Sequence, residues 1–556
     1  MDYVFHILVM VALFAILATS FNLLIGFAGL FALSHAAFYG IGAYTTAIIA
    51  LKFGLPFPVP LLVGLAVTAA AGMLIALPAL RISGDYLVIV SLALQVIVIA
   101  IMLNWTALTG GTDGIRNIPR VQLFGASLDT APKFLPLAVA AAALCYWVSW
   151  RVGASPFGRA LKAMRENEVA AQAVGKNVVA MKLAVFGVAA ALASVAGSLY
   201  AQYVTFISAD TFTLELTIYV LAMVILGGTG NLAGSLVGAA ILVVLPELLK
   251  FVDLPPDIAD KARQMFYGAL LIVMLRLRPQ GLLPESASAH HLHAPPERPR
   301  VDTPVAAAAL EGRGLEKRFG GIVAVQRLDL AIEPGRITGL IGPNGAGKTT
   351  AFNLLTGFLE PDAGDVLYRG RSLRGRKPHR IVRLGIARSF QDLKLFTRLT
   401  VLENVLIALP RQRGDHLAAV YLAPWAVARE ERANLARAMA VLEFVGLAAR
   451  AAEPATGLSY AEEKLLSVAR LLATDAEVLL FDEPLSGLAP STLREIQPIF
   501  RRLAASGRTI AVIEHNLDVI RELCDVAIFL DEGRKLAEDT PERLMQDPVL
   551  AERYFK

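Results

Sequence analysis

The first half of this 556-residue chain is built from apolar runs about as long as a membrane is thick. They recur at roughly 3–25, 30–51, 59–80, 86–104, 133–150 and 183–204. Three more follow near 215–229, 232–250 and 264–277, the first and last of them short. About 20 apolar residues cross the hydrocarbon core as a helix. In lipid, only elements that satisfy their own backbone N–H and C=O groups can span. Residues 1–283 are therefore expected to form an all-α polytopic bundle of eight or nine helices in contact with membrane lipid. The count hangs on Gly227-Gly228-Thr229-Gly230-Asn231, which either joins two spans or interrupts one. The 56% hydrophobic content is concentrated in this half, and the second half has ordinary globular polarity. One domain cannot account for both.

Charge supports the same division. The formal net charge of +5 is modest for the length, and Lys and Arg gather at the edges of the expected spans. That pattern reads as membrane orientation, with no nucleic-acid partner implied. Arg151, Arg159, Lys162, Arg165, Lys176 and Lys182 put segment 151–182 on the cytoplasmic side, and Arg276 and Arg278 put the end of the last run there too. Nine spans then place the N-terminus outside; eight place it inside. The opening Met1-Asp2-Tyr3 has no basic region before the apolar run, so a retained first helix is expected over a cleaved signal. The two cysteines, Cys145 and Cys524, lie far apart and indicate neither a disulfide framework nor a thiolate metal site. Residues 284–307 are rich in Pro, Ala and His and read as a linker. Its His290, His291 and His293 lack the carboxylate or Cys partners of a metal site.

From residue 308 to 556, strand and helix patterns alternate, with apolar strands at 337–341, 478–481 and 509–514. An α/β domain with a mostly parallel sheet is expected. Gly342-Pro343-Asn344-Gly345-Ala346-Gly347-Lys348-Thr349 follows the first strand and leads into a helix opening at Lys348, Thr349 and Thr350. This is the phosphate-loop pattern. Its backbone N–H groups cradle a polyphosphate, the lysine reaches the terminal phosphates, and the hydroxyl of Thr349 holds Mg²⁺. The second strand ends in Asp482 and Glu483. Asp482 is placed to hold Mg²⁺ and Glu483 to polarise an attacking water.

With these motifs in place, the second half resembles the ATP-binding cassette (ABC) family. The fold class implied is thus a membrane bundle followed by an α/β P-loop NTPase cassette of ABC type, with ATP and Mg²⁺ as its ligands. By the same resemblance, Phe319 in Lys317-Arg318-Phe319-Gly320 stacks on adenine, and Gln391 in Arg388-Ser389-Phe390-Gln391-Asp392 senses Mg²⁺ and contacts the membrane domain. Leu458-Ser459-Tyr460 opens the family signature. His515, 33 residues past Asp482, is the switch histidine at the γ-phosphate. Lys348, Glu483 and His515 are the catalytic set this implies.

A finer resemblance is to branched-chain amino acid importers. Gly385-Ile386-Ala387-Arg388-Ser389-Phe390-Gln391-Asp392-Leu393, then Leu399-Thr400-Val401-Leu402-Glu403-Asn404-Val405, is similar to the longer of their two cassette types. In the membrane half, Asn22-Leu23-Leu24-Ile25-Gly26-Phe27-Ala28-Gly29 and Ser34-His35-Ala36-Ala37-Phe38-Tyr39-Gly40-Ile41-Gly42-Ala43-Tyr44 look like permease motifs. So do Leu80-Arg81-Ile82-Ser83-Gly84-Asp85-Tyr86-Leu87, Thr109-Gly110-Gly111-Thr112-Asp113-Gly114-Ile115 and Arg278-Pro279-Gln280-Gly281-Leu282. The chain thus resembles a permease fused to its cassette. The resemblance implies an ATP hydrolase coupled to uptake, multi-pass in the cytoplasmic (inner) membrane with its cassette in the cytoplasm. An extracytoplasmic solute-binding protein would deliver substrate. A second permease and second cassette, or a second copy of this chain, would complete the complex; the family's usual arrangement and the signature's departures at Ala461 and Glu462 favour the former. Relatives on this scaffold carry urea, amides or aromatic acids. Two rivals stand beside the importer: an exporter, whose bundle would lack these motifs, and a regulatory membrane ATPase that moves nothing.

The family places a short amphipathic coupling helix at Gly158 to Ala171, docked near the Gln391 loop; a solvated basic loop kept for orientation is the other reading of that stretch. Asn22, His35, Gln95 and Asn104 are candidates to line the substrate path, with hydrogen bonding between helices as the competing account. Small residues at Gly26, Gly29, Gly40 and Gly42 mark either a broken helix or close packing. The signature departs from its family at Ala461 and Glu462, and Ala489 replaces an Asp or Asn. In an ABC dimer, each ATP lies between one cassette's phosphate loop and the other's signature. Either the two ATP sites are asymmetric, with the competent one formed by this chain's catalytic residues, or Ser459 suffices and the changes are tolerated.

Overall fold

The computed structural model describes residues 2–79, 85–123, 125–249, 268–269, 272–274, 276–285, 308–548 and 550. It divides into two compact units. One comprises Met1–Arg165 with Val178–Ser286, the other Glu166–Asn177 with Ala287–Lys556. The apolar stretch 264–277, most of the linker with its histidines, and Leu80 to Gly84 of the third permease motif lie largely or wholly outside the described residues.

The first unit is helical: α1 (Asp2–Asn22), α2 (His35–Phe53), α3 (Val59–Ala79), α4 (Asp85–Asn104), α5 (Ala131–Gly153), α6 (Pro156–Glu166, its last residue in the second unit), α8 (Val178–Val204), α9 (Leu214–Gly227) and α10 (Leu232–Leu249). Helix α7 (Glu168–Ala173) lies in the second unit. Among the described residues, seven helical segments are long and apolar enough to cross a membrane, and Leu232–Glu247 is a shorter apolar helix. The run expected at 30–51 begins as helix only at His35. Before it, α1 ends in a π-helical turn at Leu23–Phe27, and Gly29 turns the chain with φ +68°.

Gly26 and Gly29 lie at the break after α1, and close packing accounts for Gly40 and Gly42. A Cβ on Gly42 would meet Ser194 Cα at 2.5 Å, and one on Gly26 would meet Asn22 Oδ1 at 1.9 Å. The glycine break at 227–231 joins two helices. A Cβ on Gly227 would fall 2.0 Å from Gly234 O, and one on Gly238 would fall 2.0 Å from Met223 O. Those pairings run in opposite directions along the chain, so α9 and α10 form an antiparallel hairpin whose backbones touch through glycine.

The second unit carries a six-stranded sheet and a four-stranded antiparallel sheet. Its strands are β1 (Leu310–Phe319), β2 (Ile322–Ile332), β3 (Ile337–Ile341), β4 (Ala363–Tyr368), β5 (Arg371–Ser372), β6 (Ile386–Arg388), β7 (Val478–Asp482), β8 (Thr509–Ile513), β9 (Val526–Asp531) and β10 (Arg534–Asp539). The larger sheet runs β10-β9-β3-β8-β7-β6, parallel except for β10. Every residue of β3, β7 and β8 is buried, as near-continuous apolar runs in parallel sheets require. Register pairs Ile513 with Asp482 and Ile513 with Leu340. Three carboxyl ends therefore stop at one edge, where ligands of open α/β sheets bind.

Candidate functional site

Strand β3 delivers the loop 342–349, and helix α11 (Lys348–Leu355) continues from it. Glycine is required at two of its positions by both φ and space. Gly342 has φ +145° and a Cβ there would lie 2.0 Å from Leu530 O; Gly347 has φ +95° with Ala324 O at 2.4 Å. Lys348 Nζ donates to Gly342 O at 2.8 Å and to Pro343 O at 2.9 Å, folding the side chain back over the loop. Burial lowers the Lys348 pKa, and the nearby Glu483 and Asp482 charges oppose that shift.

A cleft of 270 Å³ opens at this edge, lined by Asn344, Gly345, Ala346, Gly347, Lys348, Thr349, Thr350, Gln391, Glu483 and His515, with Ala324 of β2. Most of the residues expected from the motifs thus converge. Gly342 and Pro343 contribute through their carbonyls to Lys348 rather than as lining. Phe319 ends β1 at the tip of the β1–β2 hairpin, 47% exposed and outside the lining, as an available ring must be. Ser459 is not among the lining residues and is the N-cap of a helix at Tyr460–Ala473.

Glu483 and His515 meet directly, His515 Nε2 lying 2.7 Å from Glu483 Oε1. Glu483 sits at φ +50°, a strained conformation for a side chain this size. Lys464 Nζ donates to its carbonyl at 2.6 Å. Asp482 is fully buried behind the cleft. Its Oδ2 accepts from Arg388 Nη2 at 3.0 Å, and its Oδ1 is buried with no hydrogen-bond partner. Burial raises the Asp482 pKa and Arg388 pulls it back; burial also lowers that of Arg388, to about 10. An orphaned buried carboxylate oxygen beside a phosphate loop suits a divalent cation, so the donors present fit Mg²⁺.

Four residues around this site escaped sequence reasoning: Arg388, Asn353, Lys464 and Glu514. The available signal was a charge at the end of a buried strand, which Arg388 and Glu514 both carry. Glu514 is buried and accepts from Leu485 N at 2.8 Å. Burial is the main cause raising its pKa to about 7. Because the folded pKa lies above the unfolded one, near 4.5, the neutral acid favours the fold. That contribution is complete below about pH 4.5 and is lost as pH rises through about 7. Glu514→Gln keeps the acceptor without the charge. It is expected to leave stability unchanged near pH 4 and to raise it by up to about 3 kcal/mol at pH 8. Thermal unfolding of both proteins across that range checks it.

The signature serine is engaged locally. Ser459 Oγ donates to Glu462 Oε2 at 2.8 Å, and Glu462 Oε2 also accepts from Ser459 N at 2.8 Å, closing a capping box at the start of the helix. These bonds hold the Glu462 carboxyl below its usual range. An anion therefore stands at the helix N-terminus.

Segment Glu166–Asn177 belongs to the cassette unit. Rather than one amphipathic helix at 158–171, the chain forms α6 and α7. Asn167 breaks them: it is extended (φ −157°, ψ 106°) and its side chain accepts from Ala170 N at 2.9 Å. Glu166 accepts from Thr397 Oγ1 at 3.1 Å and Arg398 N at 3.2 Å, on the loop that carries Gln391. Gly175 O accepts from Arg383 Nε at 3.1 Å, and Lys176 Nζ reaches both Asp415 oxygens at 2.7 and 2.8 Å.

In the membrane unit, three of the four polar candidates bond to other segments. Asn22 accepts from Gly230 N at 2.9 Å and donates to Asn231 O at 2.9 Å and Ser235 Oγ at 2.7 Å. Gln95 bridges Ala37 N and Phe212 O at 2.8 and 2.7 Å. His35 Nε2 meets Ser20 Oγ at 2.9 Å while its Nδ1 is buried without a partner. Asn104 is exposed and bonds back to Ala100 O at 2.8 Å.

Residues 3–275 match the family model for the permease component of the branched-chain amino acid transport system, and residues 325–486 match that for ABC transporters. The cassette half is 37% identical over 247 residues to the high-affinity branched-chain amino acid transport ATP-binding protein LivG of Escherichia coli (strain K12). That match covers 44% of this chain and 97% of LivG. Over 298 residues the chain is 36% identical to the permease protein LivM of the corresponding system in Salmonella typhimurium, covering 50% of this chain and 68% of LivM. Among solved structures, a nucleotide-free ATP-binding cassette from an ABC transporter is 30% identical, covering 44% of this chain and 98% of its own, with a TM-score of 0.40. With LivG matched along nearly its whole length and LivM along two-thirds of its own, the chain belongs to the branched-chain amino acid ABC transporter family and joins a permease and a longer-type cassette in one polypeptide.

Proposed function

We propose that this chain is half of an ATP-driven importer for branched-chain or related hydrophobic amino acids, placed in the cytoplasmic membrane with its cassette in the cytoplasm. The observation that carries the reading is the convergence of Lys348, Glu483 and His515 on one cleft of a cassette that also holds a permease segment, Glu166–Asn177. Lys348 and the loop Gly342 to Thr350 bind the ATP phosphates, and Phe319 stacks on adenine. Thr349, Gln391 and Asp482 hold Mg²⁺, which when bound offsets charge developing on the phosphoryl oxygens. Glu483 polarises the attacking water, and His515 orients Glu483 and meets the γ-phosphate. Segment Glu166–Asn177 carries cassette motion to the bundle, which alternates access.

A solute-binding protein delivers the amino acid, and a second permease and second cassette complete the transporter. Ser459 then serves the partner cassette's ATP. Glu462 adds a negative charge beside that serine, where a polyphosphate would approach, and this favours asymmetric ATP sites over a tolerated change. Proteoliposomes holding the full complex should accumulate labelled leucine only with ATP and the binding protein together. Accumulation of urea, amides or aromatic acids instead would move the substrate assignment. ATP hydrolysis with no solute moved would identify a regulatory ATPase.

A further inference from the structure

Arg388 ends the buried strand β6 and is itself 3% exposed. Its guanidinium distributes donors among three separate motifs. Nη2 reaches Asp482 Oδ2 at 3.0 Å, Nη1 reaches Asn353 Oδ1 on the phosphate-loop helix α11 at 2.6 Å, and Nε reaches Ser389 O at 3.1 Å. Its central carbon stands 4.8 Å from the ring of Phe390, the residue before Gln391. The next residue holds Asp482 by its other end, since Ser389 Oγ accepts from Asp482 N at 3.0 Å.

Asp482 is thus fixed at backbone and carboxylate by two consecutive residues, the last of β6 and the one that follows it. The planar fork of the guanidinium holds Asp482 and Asn353 at once in a fixed geometry, which the point charge of an ammonium does not reproduce. With Oδ2 committed to Arg388, Oδ1 is the oxygen left without a partner. We propose that Arg388 is a positioning residue for the divalent cation. By holding Oδ2 it fixes the rotation of the Asp482 carboxylate so that Oδ1 stays available to the metal, and it links that carboxylate to the phosphate-loop helix through Asn353. The inference rests on the reading of Asp482 as a Mg²⁺ holder.

The test uses the full chain in lipid nanodiscs with a non-hydrolysable ATP analogue and Mn²⁺ followed by electron paramagnetic resonance. Outer partners of metal ligands typically change metal affinity by about 10–100-fold. Arg388→Met is expected to weaken Mn²⁺ binding by that factor while analogue binding without metal is unchanged. Arg388→Lys should recover part of the loss, because charge returns without the fork. An unchanged Mn²⁺ affinity in Arg388→Met overturns the proposal, as does equal loss in both variants together with metal-free analogue binding. If Arg388→Met does not fold, Arg388→Lys decides alone: wild-type Mn²⁺ affinity overturns the proposal, and weakened Mn²⁺ binding with metal-free binding intact supports it. Asp482→Asn separates the two levels. If it leaves Mn²⁺ affinity unchanged, the reading of Asp482 itself fails. If it weakens Mn²⁺ binding while the Arg388 variants do not, only the role of Arg388 falls.

Discussion

Replacing Glu483 by Gln is expected to lower ATP hydrolysis by about 10²–10⁴-fold, the usual contribution of a positioned general base. Glutamine has the same shape and can keep the contact to His515, now 2.7 Å away, but it cannot take a proton from water. ATP binding should persist, because Lys348 and the loop 342–349 are untouched. Retained binding separates lost chemistry from a lost fold. Leucine uptake by the full complex should fall to background as well, if the competent ATP site is the one built from this chain's residues. Substantial uptake by the variant would instead show that the partner's site drives transport, and the asymmetry would run the other way. ATPase assays, nucleotide binding and uptake on one preparation distinguish these results.

The second large effect is expected at Lys176. This ammonium is 3% exposed and meets Asp415, whose side chain is 13% exposed, through both carboxylate oxygens. Breaking a buried pair from one side strands the other charge and costs about 3–5 kcal/mol. Lys176→Glu adds repulsion to that loss. Because the pair holds segment 166–177 on the cassette, uptake should collapse while hydrolysis continues, and the ratio of leucine moved to ATP hydrolysed should drop. The double variant Lys176→Glu with Asp415→Lys should recover part of the coupling. If the double variant transports no better than the single, the pair is not a coupling contact.

The chemistry-bearing loop was legible because everything it needs is local. Gly342, Gly347 and Lys348 read directly as a phosphate loop, and their φ angles and close approaches show why glycine stands there. The carboxylates at the end of β7 were legible for the same reason, since an apolar strand ending in Asp482 and Glu483 predicts its own burial. The partners of those carboxylates were not legible. Arg388 and Asp482 are 94 residues apart and meet only because β6 lies beside β7. Nor does any local pattern show that Lys464 caps the carbonyl of Glu483.

In the membrane half, apolar length announced the spans, and glycine pattern marked where they break. Whether Gly227 to Asn231 joined or interrupted helices depended on which backbones approach across the break, and only the packed hairpin answers that. The docking segment shows the same limit. The family resemblance placed one coupling helix at Gly158 to Ala171, but Asn167 divides that stretch, and the residues that bond to the cassette include Glu166 and Lys176. Sequence by itself determined the two-part architecture and located the phosphate-loop pattern, because spans, strands and loops follow from local patterns of residue type. The tertiary structure decided which buried charges face one another. Those pairings cross strands and helices distant in the chain, and strand order and helix packing set them.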